Sequence, residues 1–421
     1  MELEKEKSIL RRNDHQYVYK QINMEINIIT EGDKQSKKDS VEKLYNFIVK
    51  DKPELNEVFL QEILISFNKQ LIKISLWDPL EKCREMCIKI LIYLYSTSTN
   101  INIFFPFIFS ALVDKLDCHD LEGDNFIPEE MRNKPSTKPL RVTKSHETCE
   151  DIRLLYVKLM STILMKEYHL DSVNIFIQDI VNIVRTLCMD ACTPVILEAC
   201  ELVIQMCKKL TQLLLHFNPI VARGLLNALA HKHSKVRIAA LGALEACFLC
   251  SPFKKNVEIM EALIGFRDPN LVPIKDFYEP STKINYFAQL VQDHSVVVRK
   301  KFFEFASNIM INMQDRFDHE ARFIPYLLSG LFDEDDELAL YISQRIEDIG
   351  LQHEIDEEKN IREDRQYGID SPWLHYCKID SLYPFSVGKR PRLGARLIIK
   401  KYVRRFIKAL CKEFDAVEES N

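Results

Sequence analysis

Apolar side chains recur every three or four positions through most of the chain, with polar residues between them. Such spacing places the apolar residues on one side of an α-helix, so it predicts a series of amphipathic helices. One apolar stripe consists of Val298, Phe302, Phe305, Ile309 and Met310, and it follows a polar turn. Because a helix with one apolar stripe must bury it, we expect helices packed in pairs and pairs packed on their neighbours.

A short pattern is repeated along the chain. It consists of a polar turn, a small or β-branched apolar residue five positions on, an arginine or its substitute at six, and then a helix. The copies are Asp78–Arg84, Asp190–Ile196, His231–Arg237, Asp293–Arg299 and Asp333–Ala339. Two of the intervals between copies are 41 and 40 residues, which matches the ~40 to 47 of HEAT and armadillo arrays. The predicted fold is therefore an all-α, right-handed α-solenoid of HEAT/armadillo-like helical pairs, with about eight to nine pairs at ~42 residues each.

Two longer intervals indicate insertions between repeats. His231 and Asp293 are 62 residues apart, and four prolines lie in the surplus, while Pro128, Pro135 and Pro139 stand in an earlier charged stretch. The predicted organisation is N-terminal HEAT repeats in 1–117, an inserted loop in 118–149, central repeats in 150–250, a proline-containing insertion in 251–281, repeats in 282–352, an acidic polar connection in 353–380 and a basic C-terminal helix in 381–421.

The acidic and basic residues of the repeated turns invite a catalytic interpretation, but a structural one is favoured. An aspartate at the turn can cap the following helix, and an arginine one turn later can pair with the turn aspartate of the adjacent repeat. The residues predicted to form this structural ladder are Asp78, Arg84, Asp190, Arg237, Asp293, Arg299 and Asp333.

Charge is distributed unevenly towards the C-terminal end. Between Asp333 and Asp364 there are 13 acidic and 3 basic side chains, whereas 381–412 contains 10 Lys or Arg and no acidic residue. The formal net charge of −5 therefore hides two patches of opposite sign, which could steer different partners.

The basic segment has the spacing of an amphipathic helix. Its basic residues recur every four positions from Arg396 to Lys412, and Leu397, Tyr402 and Phe406 are among the apolar residues between them. Such helices bind acidic protein surfaces, nucleic-acid backbones or anionic lipid. Two alternatives stay open: a repeat helix whose polar face is basic, or a partner for the chain's own acidic stretch. The candidate partner-binding residues are Lys389, Arg390, Arg396, Lys400, Lys401, Arg404, Arg405 and Lys408.

Composition argues against the common catalytic folds. Only 10 glycines are present, about a third of the usual ~7% usage, although phosphate-binding turns need glycine for positive φ and close backbone approach. None of the patterns G-x-G-x-x-G, G-x-x-x-x-G-K-[ST], G-x-S-x-G or H-E-x-x-H occurs. We therefore expect a protein that is not an enzyme and has no catalytic residues, cofactor or metal site.

Twelve cysteines occur in a chain whose start lacks the apolar core of a signal peptide. This favours reduced thiols and a cytoplasmic location. Cys247 and Cys250 form a C-x-x-C within a helical pattern, so buried thiols are expected rather than a metal or redox site. His231 and His233 are expected to be solvated turn residues. The longest apolar stretch, 103–113, is too short to span a membrane.

Several short motifs stand in an order that is typical of one family. They are Val236–Leu241, Val298-Arg299, Asp315–Phe317, Phe323–Ser329, Gly350–Gln352, Arg390-Pro391, Leu393-Gly394 and Arg396. On these residues the chain resembles the HEAT-repeat dynein axonemal assembly factors, most strongly from about 217 to 412. The resemblance implies a cytoplasmic protein that preassembles the outer and inner dynein arms of motile cilia. It also implies axonemal dynein heavy and intermediate chains, other assembly factors and chaperones as partners, and further repeats after those seen here.

The leading functional hypothesis is a non-enzymatic scaffold whose long helical surface holds large client chains, and only the resemblance identifies those clients as dyneins. The alternative is a HEAT adaptor in nuclear transport or phosphatase assembly, with the acidic stretch receiving basic peptides. In either case we expect a monomer that binds proteins and neither binds nucleic acid nor spans a membrane.

Overall fold

The computed structural model describes residues 2–50, 57–118, 147–166, 170–250, 259–260, 263, 285–313 and 316–366, and the statements below refer to these residues. Within them every regular element is a helix. The helices are α1 (Glu2–Glu31), α2 (Lys34–Tyr45), α3 (Glu57–Trp77), α4 (Glu81–Thr97), α5 (Phe105–Leu116), α6 (Glu150–Leu164), α7 (Leu170–Asn174), α8 (Ile177–Cys188), α9 (Thr193–Lys209), α10 (Thr211–Leu214), α11 (Asn218–Leu229), α12 (Ser234–Cys250), α13 (Tyr286–Val291), α14 (Val296–Asn312), α15 (Arg316–Ser329) and α16 (Asp336–Gln366). A π-helix spans Asn46–Lys50, and 3₁₀ turns span Asn102–Phe104 and Gly330–Phe332.

Seven polar turns in the described residues each precede a helix that is termed a second helix here: α2, α4, α6, α9, α12, α14 and α16. The helix before each turn is termed a first helix. Equivalent turn residues are separated by 43 residues between Glu147 and Asp190 and by 40 between Asp293 and Asp333. These intervals exceed the 34 residues of a tetratricopeptide repeat and fit the HEAT/armadillo range.

The described residues fall into two compact units, one ending at Ala228 and the other starting at Leu229. In the first unit the second helices α2, α4, α6 and α9 pack in chain order, and α1, α3, α5 and α8 form a parallel layer of first helices. In the second unit α12, α14 and α16 pack in the same order, with α13 packed on α15. This two-layer stacking confirms the predicted all-α solenoid of helical pairs.

The apolar stripes predicted from the sequence form the core of each unit. Val298 and Met310 are fully buried in α14. In the second unit the ring of Phe287 lies 5.3 Å from that of Phe302 and 5.5 Å from that of Phe323, so α13, α14 and α15 meet in one aromatic cluster. Aromatic pairs at such separations add to the stabilisation that burial alone provides.

Gly330 allows a close approach in the second unit. A Cβ atom at this position would lie 2.6 Å from side-chain carbons of both Phe303 and Ile342. A larger residue here would require the side chains of Phe303 and Ile342 to move, so glycine suits this close approach between α14 and α16.

The turn before α6, Glu147 to Cys149, consists of the last residues of the predicted inserted loop 118–149. Two other predicted boundaries differ from the structure. The connection predicted from 353 begins as helix, because α16 continues to Gln366 through strong helix formers without Gly or Pro. The predicted central block 150–250 is divided between the two units. Among the described helices none is both long enough and apolar enough to cross a bilayer.

Candidate functional site

The polar turns before the second helices close in a common way. The side chain of the turn residue accepts a hydrogen bond from the backbone N–H two positions further on. The donor–acceptor distances are 2.8 Å at Asp78, 2.7 Å at Asp190, 2.9 Å at Asp293 and 3.0 Å at Asp333. Because a short acidic side chain can bond its own backbone in this way, it fixes both the turn and the direction of the helix that follows.

The arginine six positions after the turn residue makes two kinds of contact. Its Nη1 donates to the carbonyl oxygen of its own turn residue, at 2.9 Å for Arg84 and 2.8 Å for Arg299. Its other nitrogens reach the acidic residue of the next turn. Arg299 donates to both carboxylate oxygens of Asp333 at 2.8 and 2.7 Å, and Arg237 contacts both oxygens of Asp293 at 2.7 and 2.8 Å. Each arginine therefore joins two successive turns.

In the first unit, Glu147 and Arg153 are among the ladder residues that the sequence reasoning missed. Arg84 donates to Glu147 at 2.9 and 2.8 Å, and Arg153 donates to Asp190 at 2.6 and 3.1 Å. A signal was present, because Glu147 and Arg153 are six positions apart like the pairs that were found. The turn carries glutamate instead of aspartate and lies beside the long insertion, and both features concealed it.

A lysine starts the series in the first unit, where the Nζ of Lys37 lies 3.2 Å from a carboxylate oxygen of Asp78. Lys37 stands six positions after Glu31, so it occupies the arginine position. The equivalent position after Asp190 holds Ile196. The charge pairs therefore form two runs, one in each unit. These turn ladder residues are Lys37, Asp78, Arg84, Glu147, Arg153 and Asp190 in the first unit and Arg237, Asp293, Arg299 and Asp333 in the second.

The pairing changes the acidity of its members. Hydrogen bonds from Arg299 hold the pKa of Asp333 below its ordinary value, and the same bonds raise the pKa of Arg299. At Glu147, burial acts to raise the pKa, but hydrogen bonds from Arg84 and from the N–H of Cys149 outweigh it and the pKa is lowered. These carboxylates are therefore ionised at neutral pH. Each must be negatively charged to form an ion pair with its arginine, which is always positively charged.

Glu147 is the most heavily engaged residue of the turn ladder. It is only 2% exposed, and besides Arg84 it contacts the Nζ of Lys115 at 3.5 Å and the hydroxyl of Tyr156 at 3.4 Å. Lys115 also lies over the ring of Trp77, 4.9 Å from its centre. A buried carboxylate surrounded in this way fixes α4, α5 and α6 relative to one another.

A second series of contacts lies at the other end of the second helices in the first unit. The Nζ of Lys209 donates to the carbonyl oxygen of Lys166 at 2.5 Å, and the Nζ of Lys166 donates to the carbonyl oxygen of Ser98. Lysines are favourable there because the last carbonyls of a helix lack intrahelical partners and carry partial negative charge. Both ends of these second helices are therefore tied to their neighbours.

Within the described residues, the last turn of the second unit presents an acidic surface. Asp333 pairs with Arg299, and Asp335 accepts from the N–H of Leu338 at 2.8 Å. The acidic residues between and after them, Glu334, Asp336 and Glu337, are exposed. Ala339 stands at the arginine position, so this turn adds carboxylates without adding a cation.

The sequence profile of the family described as "Dynein axonemal assembly factor 5-like, TPR repeats" matches residues 28–138, 137–264 and 280–364. The chain belongs to this family. The matched ranges include the turns of both units, and the resemblance inferred from the sequence motifs is confirmed.

Curated relatives carry the name dynein axonemal assembly factor 5. The protein from Xenopus laevis is 23% identical over 363 residues, which cover 86% of this chain and 36% of the relative. The Homo sapiens protein is 23% identical over 283 residues, covering 65% of this chain and 28% of the relative. The chain thus spans about a third of the length of the curated relatives that it matches.

Solved structures of helical-repeat proteins are also similar to the chain. A designed armadillo repeat protein, YIII(Dq)4CqI, is 12% identical and covers 67% of this chain and 97% of its own, with a TM-score of 0.40. Importin beta is 14% identical and covers 78% of this chain and 40% of its own, with a TM-score of 0.38.

The remaining predicted residues are placed as follows. Cys247 and Cys250 are buried in α12, in agreement with their interpretation as buried thiols. His231 is partly and His233 largely exposed, and the Nδ1 of His231 accepts from the N–H of His233 at 3.1 Å. Across the described residues no group of three His, Cys, Asp or Glu is arranged to hold a metal ion. The basic residues predicted to bind a partner all lie outside the described residues: Lys389, Arg390, Arg396, Lys400, Lys401, Arg404, Arg405 and Lys408.

Proposed function

We propose that the chain is a non-catalytic cytoplasmic scaffold for the preassembly of the outer and inner dynein arms of motile cilia. It binds axonemal dynein heavy and intermediate chains, together with other assembly factors and chaperones. The observation that carries this proposal is the family match over 28–138, 137–264 and 280–364. Relatives similar over most of the chain are named dynein axonemal assembly factor 5, and this name supplies the class of client.

The geometry of the turn ladder supports a scaffold. Within each unit, an ion pair and buried apolar residues fix each second helix to the next, so the helices keep a constant order there. An array of this kind exposes a long surface on which a large client can make many separate contacts. Such a surface suits a protein that holds unfinished subunits until other factors complete them.

The basic segment is the proposed client contact. Arg396, Lys400, Arg404 and Lys408 are four positions apart, so on a helix each advances by ~40° and together they form one stripe. A stripe of one sign steers an acidic partner surface and sets the orientation in which it docks. The basic stripe is defined here as these four residues with Lys401 and Arg405.

Charge reversal tests the proposal. Arg396, Lys400, Lys401, Arg404 and Arg405 are changed to Glu, and the tagged chain is purified from cells that build motile cilia. We expect the recovery of dynein heavy and intermediate chains to fall several-fold, and the remaining binding to depend less on salt, because exposed ion pairs are screened over ~8 Å at physiological ionic strength. Quantitative mass spectrometry of the co-purified chains measures both effects.

A charge-matched variant provides the control. It changes five exposed lysines of the described residues to Glu: Lys20, Lys69, Lys73, Lys158 and Lys208. Dynein recovery by this control should equal that of the unchanged chain. Recovery of importin cargo or phosphatase subunits in place of dynein chains would support the alternative adaptor function, and equal losses in both variants would remove the basic stripe from the proposal.

A further inference from the structure

The second helix α14 contacts its two neighbours through different positions, counted here from the turn residue Asp293. In α14 the seventh position, Lys300, lies over the ring of Tyr341 in α16 at 5.3 Å, and the fourteenth, Ser307, accepts from the Nε of Arg345 at 2.9 Å. The eighth position, Lys301, instead faces back to Glu245 of α12 at 3.7 Å. Positions seven and fourteen therefore mark the forward face, which is the side of a second helix that packs on the next one.

The forward face of α16 carries three exposed apolar residues, beside Glu347 at position fourteen. Leu340 stands at position seven and is 63% exposed, while Leu351 and Ile355 are 39% and 51% exposed. Separations of 11 and 4 residues place the three within ~60° of one another on a helix. The aliphatic residues at position seven of α6 and α12, Leu154 and Ile238, are only half-exposed because a following second helix packs on each.

The forward face of α16 differs from the open side of α2. The groove beside α2 has a volume of about 550 Å³ and is lined by Ser36, Asp39, Ser40 and Lys43, among others. Polar residues such as these are typical of a surface that stays in contact with water. Exposed leucines at a stacking position are instead typical of a surface that another helix covers. The composition of α16 therefore indicates a stacking surface.

The chain itself contains a helix-forming segment that fits this surface. On an ideal helix over 396–412, Ile399, Val403, Phe406 and Leu410 lie within ~60° of one another, and Arg396 borders them. On α16, acidic residues flank the exposed leucines at Glu337, Glu347 and Asp348. The two surfaces are therefore complementary in both apolar character and charge.

The connecting length also permits this arrangement. Twenty-nine residues separate Gln366 from Arg396, compared with 23 between Asn312 and Asp336, where the array passes from one second helix to the next. A tethered segment of this length keeps a high effective concentration near α16, so modest contact energy is sufficient for docking.

We propose that residues 396–412 form the next second helix and stack their apolar side on the forward face of α16. Glu337 and Glu347 offset the charge of Arg396 and Lys400 at the edge of the contact. Arg404 and Lys408, on the far side of the helix, stay in water, where the basic stripe can meet a client. This inference goes beyond the proposed function and does not depend on which client is bound.

Hydrogen exchange of the full chain at low concentration tests the stacking. In the unchanged protein, amides of 399–410 should exchange at least ~10-fold more slowly than in a synthetic peptide of 396–412. The double variant Leu340→Asp with Leu351→Asp should abolish this difference. The control changes Val58 and Ile175 to Asp, which are 63% and 79% exposed in the first unit, and it should retain the protection. Circular dichroism verifies that both variants keep their helical content.

Three results would overturn the stacking. The segment could exchange as fast as the peptide in the unchanged chain, its protection could survive the Leu340/Leu351 variant, or its protection could rise with protein concentration, which would identify a second copy as the occupant. Dynein co-purification is a separate measurement. Fast exchange with normal dynein recovery contradicts the stacking alone, and slow exchange without dynein recovery contradicts the proposed function alone.

Discussion

Arg299 shows how one side chain holds two turns together. Its side chain is 11% exposed, and that of Asp333 is 6% exposed, while a further bond joins Arg299 to the carbonyl oxygen of Asp293. Removing one partner of such a pair leaves the other charge buried without compensation, which usually costs about 3 to 5 kcal/mol. The loss of stability on removing Arg299 therefore reflects mainly the cost of leaving the Asp333 carboxylate buried without a partner.

We expect Arg299→Leu to lower the free energy of unfolding of the second unit by about 3 kcal/mol for this reason. Urea denaturation followed by circular dichroism gives the value. The control is Lys235→Leu, which changes an exposed basic residue near the start of α12 and should shift stability by less than about 0.5 kcal/mol. Equal effects of the two changes would show that the ion pair is not a structural element.

The turn ladder also predicts a dependence on pH. Because Arg299 lowers the pKa of Asp333 in the folded state, the stabilisation is complete above the unfolded pKa of about 3.9 and is lost as pH falls through the lower folded value. We expect Asp333→Asn to be less stable than the unchanged chain at pH 7, with the difference shrinking below about pH 4. Thermal melts across this range measure it, with exposed Asp336→Asn as the control. A difference that stays constant down to pH 2 would contradict the pairing.

Individual ladder residues could be predicted where the spacing and the residue type agreed. Asp293 and Arg299 stand six apart with the expected residue types, and the sequence was sufficient to assign them. Lys37 and Glu147 were missed because lysine and glutamate meet the same electrostatic requirement with different side chains. A search for charge and spacing, rather than for particular residues, would have found them.

At the scale of helices, α14 carries the clearest test of the packing. Val298 is fully buried, while its neighbour Val297 is 62% exposed. We expect Val298→Asp to unfold the second unit at least locally, because an unpaired buried charge costs several kcal/mol. Val297→Asp introduces the same charge one position away and should leave the melting temperature nearly unchanged. Similar melting of both variants would show that this stripe is not core.

Helix existence was predictable and helix ends were less so. The apolar stripe from Val298 to Met310 was enough to predict α14, because each of its members is buried. The end of α16 was predicted too early, since Gln352 to Gln366 contains hardly any apolar residue and periodicity gives no signal there. Intrinsic propensity decided the outcome, because Glu, Lys, Arg and Gln favour helix even without a core to bury.

At the scale of the whole molecule, the repeat period predicted the class of fold. It did not predict that the chain is divided into two compact units. One residue in the sequence does indicate where the two units are divided: Ile196 stands at the position where an arginine would link one turn to the next. A single substitution of this kind is invisible to periodicity, which continues through α9 without change. The proposed function rests on the family rather than on the period, since helical arrays of the same geometry serve many different clients.

Loss of the protein from cells that build motile cilia tests the central claim most directly. After depletion, the heavy chains of both outer and inner arms should be strongly reduced in isolated axonemes, as quantified by mass spectrometry. Expression of the unchanged chain or of Val297→Asp should restore them, whereas Val298→Asp should not. Axonemes that keep normal amounts of both sets of heavy chains after depletion would contradict the account.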